Sequence, residues 1–297
     1  MAKTWDLGRV LTAMVTPMTP EGVIDLDGAV RLAVRLSESG SDGLVILGTT
    51  GEAPTLSHAE KVEVIRAVVG AVGGAVTVIA GTGSYDTAAS VELTREAEKL
   101  GVDGIMAVVP YYNRPPQEGL YRHFEAILQA TSLPVMLYNI PGRTGANLAP
   151  ETVARLAEAP NLAAVKEASG DLDQVSRLVQ AVPEHVRIYA GDDSLTLPIL
   201  AVGGYGVVSV ASHLVGPQIQ EMIGAFVAGR VEEAIRIHHH LYPLFRGLFV
   251  TTNPIPVKAA LEMAGFPAGP PRLPLPPATE AEREAIQQAM KQVGLLD

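Results

Sequence analysis

The stretch GLVILGTTGEAP, Gly43 to Pro54, joins an uncharged apolar run to two adjacent threonines held between Gly48 and Gly51. A run this short and this apolar suits a strand buried on both faces, because a helix would need more residues and a polar face. The strand ends where the threonines begin, and Ser57 with Glu60 forms a capping box that starts a helix just beyond. Gly48 and Gly51 are read as freeing the backbone of this turn, so that Thr49 and Thr50 present their donors at the strand's C-terminal end.

The same unit recurs. Apolar runs follow at VLTAMVT from Val10, TVIAG from Thr77, GIMAVVP from Gly104, PVMLYN from Pro134, LAAVKE from Leu162, RIYAG from Arg187 and GVVSVAS from Gly206. Amphipathic segments such as LDGAVRLAVRLSESG and TAASVELTREAEKLG separate them, with Gly40 and Gly101 just past the expected helix ends. Strands buried on both faces and alternating with helices predict a parallel sheet covered on its outside. Eight such units, spaced roughly 20 to 35 residues apart, fit an α/β fold of the (β/α)8 TIM barrel type, a doubly wound open sheet being the alternative. Beyond about residue 225 only helical patterns appear, including VEEAIRIHHHLYPLFRGLF and IPVKAALEMAG, then a proline-rich connector and a last helix capped by Thr279 and Glu282. The predicted organisation is a catalytic barrel over residues 1–225 and a C-terminal helical appendage over 226–297.

Composition narrows the function. The chain has 297 residues, is 47% hydrophobic and carries a net charge of -10, which disfavours nucleic-acid backbones and anionic membranes as partners. It has no cysteine, so disulfides, thiol catalysis and cysteine-ligated metal are excluded, and a cytoplasmic location is expected. Asp6 and Arg9 interrupt the N-terminus before any signal-peptide core can form. The uncharged stretch from Ala67 to Tyr85 is broken by Gly70, Gly73 and Gly74 and is not read as a membrane span.

In a barrel the chemistry belongs at the C-terminal ends of the strands. Those ends carry Thr49 and Thr50, Thr82, Tyr111 and Tyr112, Tyr138 and Asn139, Lys166 and Glu167, Asp192 and Asp193, and Ser209 to His213. Lys166 is the unusual one, an ammonium at the end of an apolar strand. At its ordinary pKa of about 10.4 an amine is neutral only about once in a few thousand molecules at pH 7, so a nucleophilic role requires burial that lowers it by about 2 to 3 units. Tyr138, on the preceding strand end, offers a phenol for proton transfer, and the pair points to Schiff-base chemistry on a carbonyl substrate. Other features read blandly. His238, His239 and His240 are consecutive on a helix and cannot converge on a metal, the GDD at Gly191 caps a helix, and neither GTG nor VGGYG is followed by a phosphate-binding lysine.

Seven motifs in order, GTTGEAPTLSHAEK, GTGSYDT, PYYNRPPQEGLYRHF, YNIPGRTG, VKEASGD, GDDSLTL and NPIPVKAAL, are spread over most of the chain, from Gly48 to Leu261. Through them it resembles the 4-hydroxy-tetrahydrodipicolinate (dihydrodipicolinate) synthase family of the pyruvate-dependent class I aldolases. The resemblance implies that Lys166 forms an imine with pyruvate, and that the derived enamine attacks L-aspartate 4-semialdehyde without metal or organic cofactor. It implies Tyr138 as the acid/base residue, with Thr50 and Tyr112 completing its proton relay, Tyr112 being donated across a tight interface in a homotetramer built as a dimer of dimers. It places the pyruvate carboxylate at Thr49 and Thr50, the carboxylate of the aldehyde substrate at Arg143, and Gly191 and Val208 along the pocket. N-acetylneuraminate lyases and 2-keto-3-deoxy sugar acid aldolases share the lysine and tyrosine but are not expected to carry Arg143 in its RTG context. A silent barrel that binds a small keto acid is the non-enzymatic alternative.

Family members inhibited by L-lysine hold it with two histidines, an asparagine, a glutamate and a tyrosine. Here His58 and Tyr111 match, whereas Lys61, Tyr85 and Ala89 stand at the other three positions. A carboxylate that would pair with the ligand's ammonium group is missing and a like charge is added. Millimolar L-lysine is therefore expected to leave turnover of the purified protein nearly unchanged, and strong inhibition in a steady-state assay would refute this reading of the three substitutions.

Overall fold

A computed structural model describes residues 5–297. The eight apolar runs become β1 (Val10–Ala13), β2 (Gly43–Ile46), β3 (Thr77–Gly81), β4 (Gly104–Val108), β5 (Val135–Asn139), β6 (Leu162–Glu167), β7 (Arg187–Ala190) and β8 (Gly206–Ser209). They are parallel and hydrogen-bonded in chain order, and β1 pairs with β8 as well as with β2, so the sheet closes and no edge is left open. This excludes the doubly wound alternative. Around the barrel run α1 (Leu26–Ser37), α2 (His58–Val72), α3 (Thr87–Lys99), α4 (Gln117–Gln129), α5 (Pro141–Thr144), α6 (Pro150–Leu156), α7 (Leu172–Ala181), α8 (Thr196–Ala201) and α9 (Ser212–Val227).

Each strand is buried on both faces because alternate residues serve two cores. Leu11, Val45, Ile79, Met106, Met136, Tyr138, Ala164, Tyr189 and Val208 fill the barrel interior. Their neighbours, among them Val10, Leu44, Ile46, Val78, Ile105, Leu137, Val165 and Val207, pack outward against the helices. Lys166 lies two residues after Ala164 on β6 and so shares the interior face.

The helical appendage consists of α10 (Val231–Gly247), α11 (Ile255–Met263) and α12 (Glu280–Gln292). α10 packs on α9 and α12, and α11 packs on α12, so the appendage continues the outer layer of the last barrel helix. The capping boxes expected at Ser57 and Thr279 are both made, with Glu60 and Glu282 accepting from the cap backbone. Gly40 and Gly101 take the positive φ values expected past helix ends, +82° and +86°. Ala67 to Tyr85 spans the end of α2, a turn and β3, and no helix among the described residues is long and apolar enough to cross a membrane.

The turn after β2 departs from the expectation in one respect. Positive φ is carried by Leu47 (+56°) and Glu52 (+57°), not by Gly48 or Gly51. Gly51 is needed for space instead, since a Cβ there would sit 3.1 Å from the Leu47 nitrogen and 3.2 Å from the Met14 carbonyl. Thr16 Oγ donates to the Gly51 carbonyl at 2.7 Å and fixes the turn against β1's loop.

Candidate active site

Closure of the barrel sets the strand ends side by side. Tyr138 is paired in register with Lys166, and Lys166 with Tyr189, so the interior faces of β5, β6 and β7 present an amine between two phenols. The Lys166 Nζ lies 4.1 Å from the centre of the Tyr138 ring, and the lysine is only 5% exposed. Burial pulls its pKa down to about 7, Asp193 pulls upward, and Arg143 pushes further down. Roughly half of the amine is then neutral at pH 7, about a thousandfold more than in water. Burial also pushes the Tyr138 phenol up to about 12, tempered by a hydrogen bond from Thr49 and the charge of Arg143. The phenol therefore stays protonated at neutral pH and is able to donate a hydrogen bond.

A cavity of about 220 Å³ opens at Tyr138, walled by Thr49, Tyr138, Ile140, Arg143 and Thr144 and extending to Tyr111 and Lys61. Arg143 comes from the one-turn helix α5, which starts at Pro141 and is capped at its C-terminus by Gly145 (φ +72°). Its guanidinium donates to the Asn253 carbonyl at 3.3 Å. Gly191 gives Lys166 room, because a Cβ there would come within 3.2 Å of the lysine Cε and 2.6 Å of Ala168 Cβ. Val208 lies in the interior cluster with Tyr138.

The two threonines face different partners. Thr49 meets the Tyr138 phenol and lines the cavity, whereas Thr50 is buried and its Oγ accepts from Asn253 Nδ2 at 2.9 Å. The resemblance names Thr50 as the relay partner of Tyr138, but the contact belongs to Thr49, because the irregular turn after β2, with positive φ at Leu47 and Glu52, sends the two side chains to different partners. Tyr112 does not reach the cavity of its own chain. It is 94% exposed and adopts φ +72°, a conformation that is strained for a bulky residue. Tyr111 beside it turns inward and packs edge-to-face on Tyr85, with ring centres 5.3 Å apart.

Of the remaining strand-end residues, Thr82 also lines the cavity and shares a hydrogen bond with Thr94 at 2.7 Å, and the others are held in hydrogen-bond networks. Glu167 faces outward and accepts from Asn139 Nδ2 (3.1 Å), Gln174 Nε2 (3.2 Å) and the Ser169 N–H (2.7 Å), which ties the ends of β5 and β6 together. Asp192 caps the turn that follows by accepting from the Ser194 N–H, as expected of the GDD segment. Asp193 accepts from Ser209 Oγ and from the Val210 and Ala211 N–H groups, and burial raises it to about 6. His213 accepts from the Val15 N–H through Nε2, so its Nδ1 carries the proton donated to the Val210 carbonyl. Near the expected lysine subsite, His58 is engaged with Glu96 at 2.7 Å and Lys61 is half-buried at the cavity wall.

Four residues escaped the sequence reading. Asn253, Glu52, Lys258 and Arg272 link the appendage to the two-threonine turn. Lys258 had a signal, since IPVKAAL sets one charge in an apolar helical run where it must find a buried partner.

Comparison with known proteins agrees with this geometry. The model of the dihydrodipicolinate synthetase family matches residues 6–293. A 4-hydroxy-tetrahydrodipicolinate synthase from Moorella thermoacetica is 60% identical over 289 residues, 97% of this chain and 99% of its own length. The solved structure of a dihydrodipicolinate synthase from Cyanidioschyzon merolae with lysine bound superposes with a TM-score of 0.96 at 52% identity, over 98% of this chain and 99% of that one. The chloride-inhibited enzyme from Acinetobacter baumannii complexed with pyruvate gives a TM-score of 0.95 at 37% identity, over 98% of this chain and all of that one. A closed barrel with a buried lysine beside a tyrosine, matched over nearly its full length, places this chain in the dihydrodipicolinate synthetase family.

Proposed function

We propose that this chain condenses pyruvate with L-aspartate 4-semialdehyde through a Schiff base on Lys166, giving 4-hydroxy-tetrahydrodipicolinate, the first committed step of the diaminopimelate route to lysine. The observation that carries the reading is the dry Lys166 amine 4.1 Å from the Tyr138 ring. The names of the relatives and the pyruvate bound by the Acinetobacter baumannii enzyme support the substrate pair.

In this scheme the neutral Lys166 amine attacks the keto carbon of pyruvate, and the carbinolamine loses water to give an imine. Loss of a methyl proton gives the enamine, whose carbon attacks the aldehyde while a proton reaches the new alkoxide. The substrate's own amine then attacks the imine carbon, closes the ring and expels the lysine. Tyr138 moves these protons, and Thr49, hydrogen-bonded to it, is the relay member within the chain. Thr50, with the turn's backbone, receives the pyruvate carboxylate. Arg143 holds the carboxylate of the aldehyde in a fork that lysine would not reproduce, and its position on the cavity wall favours the synthase over a sugar-acid aldolase. Gly191 and Val208 shape the floor. Every step uses side chains and substrate alone.

Residues 1–225 act as the catalytic barrel and 226–297 as the helical unit behind it, in a cytoplasmic homotetramer of two tight dimers. Tyr112 enters the partner's relay, which accounts for a strained and almost fully exposed aromatic in the single chain.

Borohydride reduction in the presence of pyruvate, followed by peptide mass mapping, tests the chemistry: the adduct is expected on Lys166, and its absence there refutes the reading. The trapping rate is expected to fall tenfold per pH unit below about 7, because the depressed pKa makes the ammonium form dominant on the acid side. Thr49→Val, which keeps shape and amide, is expected to lower kcat by roughly 10²-fold, whereas Thr50→Val mainly raises the KM for pyruvate; equal kcat losses in steady-state assays would undo the division of labour. Inactive Tyr112→Phe and Lys166→Ala chains, mixed in equal amounts and reassociated, are expected to recover about a quarter of parental activity, since half the dimers then hold one intact composite site. No recovery would place Tyr112 outside the partner's site.

A further inference from the structure

Two charged side chains that the condensation does not use meet in the driest part of the contact between barrel and appendage. Glu52, two residues after Thr50, pairs with Lys258 of α11 at 2.6 Å, and each side chain is about 2% exposed. The pair is closed on both sides: Lys258 Nζ also donates to the Pro270 carbonyl at 3.1 Å, and the Arg272 N–H donates to the second Glu52 oxygen at 2.7 Å. The Arg272 guanidinium reaches further along the same loop, to the Thr55 carbonyl (2.7 Å) and to Glu60 (2.8 Å), whose carboxyl it holds down at about 2.

Stability alone gives little reason for such a pair. A buried ion pair is often no more stabilising than apolar residues of the same volume, because desolvation offsets the attraction, but it fixes the direction of the groups it joins. Here direction matters. Glu52 holds φ +57°, which a residue with a side chain keeps only when its surroundings over-determine it. Lys258 anchors that residue, and Asn253, five residues earlier, donates to the Thr50 hydroxyl at 2.9 Å. The turn is thus gripped at Thr50 and at Glu52 from one short segment of the appendage. The backbone carbonyl of Asn253 also receives Arg143, so the same segment touches both proposed carboxylate-binding sites.

We infer that Lys258 and Asn253 are positioning residues: through the Glu52 ion pair and the Thr50 hydrogen bond, the helical appendage holds the two-threonine turn where it receives the pyruvate carboxylate and meets Tyr138. The inference rests on the Schiff-base reading of Lys166.

The test compares the full-length parent with the double variant Glu52→Gln/Lys258→Met, which removes both charges without stranding one. Parent trapping with pyruvate and borohydride is measured first; its absence refutes the Schiff-base reading and this one with it. Given parent trapping, the double variant is expected to melt within a few degrees of the parent yet to need about tenfold more pyruvate for half-maximal trapping, with the KM for aspartate semialdehyde within twofold. Lys258→Arg, which keeps the charge, is expected to retain near-parental pyruvate dependence. A folded double variant whose pyruvate half-saturation and trapping rate both lie within twofold of the parent overturns the positioning role while leaving the Schiff base intact. Should the double variant not fold, Asn253→Ser, which leaves the ion pair whole, carries the test with the same readings and the same limits.

Discussion

Everything at this site depends on keeping an amine out of water. A lysine in solvent is charged and inert toward carbonyls at neutral pH, and the interior of a closed barrel is one of the few places where a strand can hold its side chain dry. Lys166 reaches that interior because β6 alternates, Ala164 and Lys166 inward, Val165 and Glu167 outward. Closure then brings the Tyr138 ring against the amine, with no insertion or lid required. Two charges tune the result in opposite directions. Asp193, held by Ser209 and two backbone N–H groups, favours the ammonium, and Arg143 disfavours it.

The outward-facing residues secure the same geometry from behind. Glu167 is a carboxylate buried in the layer between sheet and helices, and it is tolerated because Asn139, Gln174 and a backbone N–H satisfy it. Asn139 follows Tyr138 just as Glu167 follows Lys166, so the bond between these two fixes the spacing of the phenol and amine that precede them. The proposed catalytic pair and its brace occupy consecutive positions on the same two strands.

Much of this was legible in the sequence, for identifiable reasons. Strands buried on both faces leave an apolar run, helices leave a stripe and a cap, and the eight repeats of that pattern named the barrel. Lys166 stands out because an ammonium is rare at the end of an apolar strand, and Tyr138 because it ends the strand before it. What stayed hidden depends on side-chain direction or on distant pairing. The sequence shows two identical threonines, and only the turn geometry, with positive φ at Leu47 and Glu52, sends Thr49 toward Tyr138 and Thr50 toward Asn253. The Glu52–Lys258 pair joins positions from opposite ends of the chain, and no local pattern marks such partners.

The bond between Thr50 and Asn253 spans 203 residues of chain, and that separation orders events in time. Contacts so far apart in sequence form late, since the intervening chain must be compact before its ends can meet. On the ribosome, the barrel strands emerge and can pair while the segment that grips the threonine turn is still inside the exit tunnel. The threonine turn is therefore gripped only once nearly the whole chain has been made.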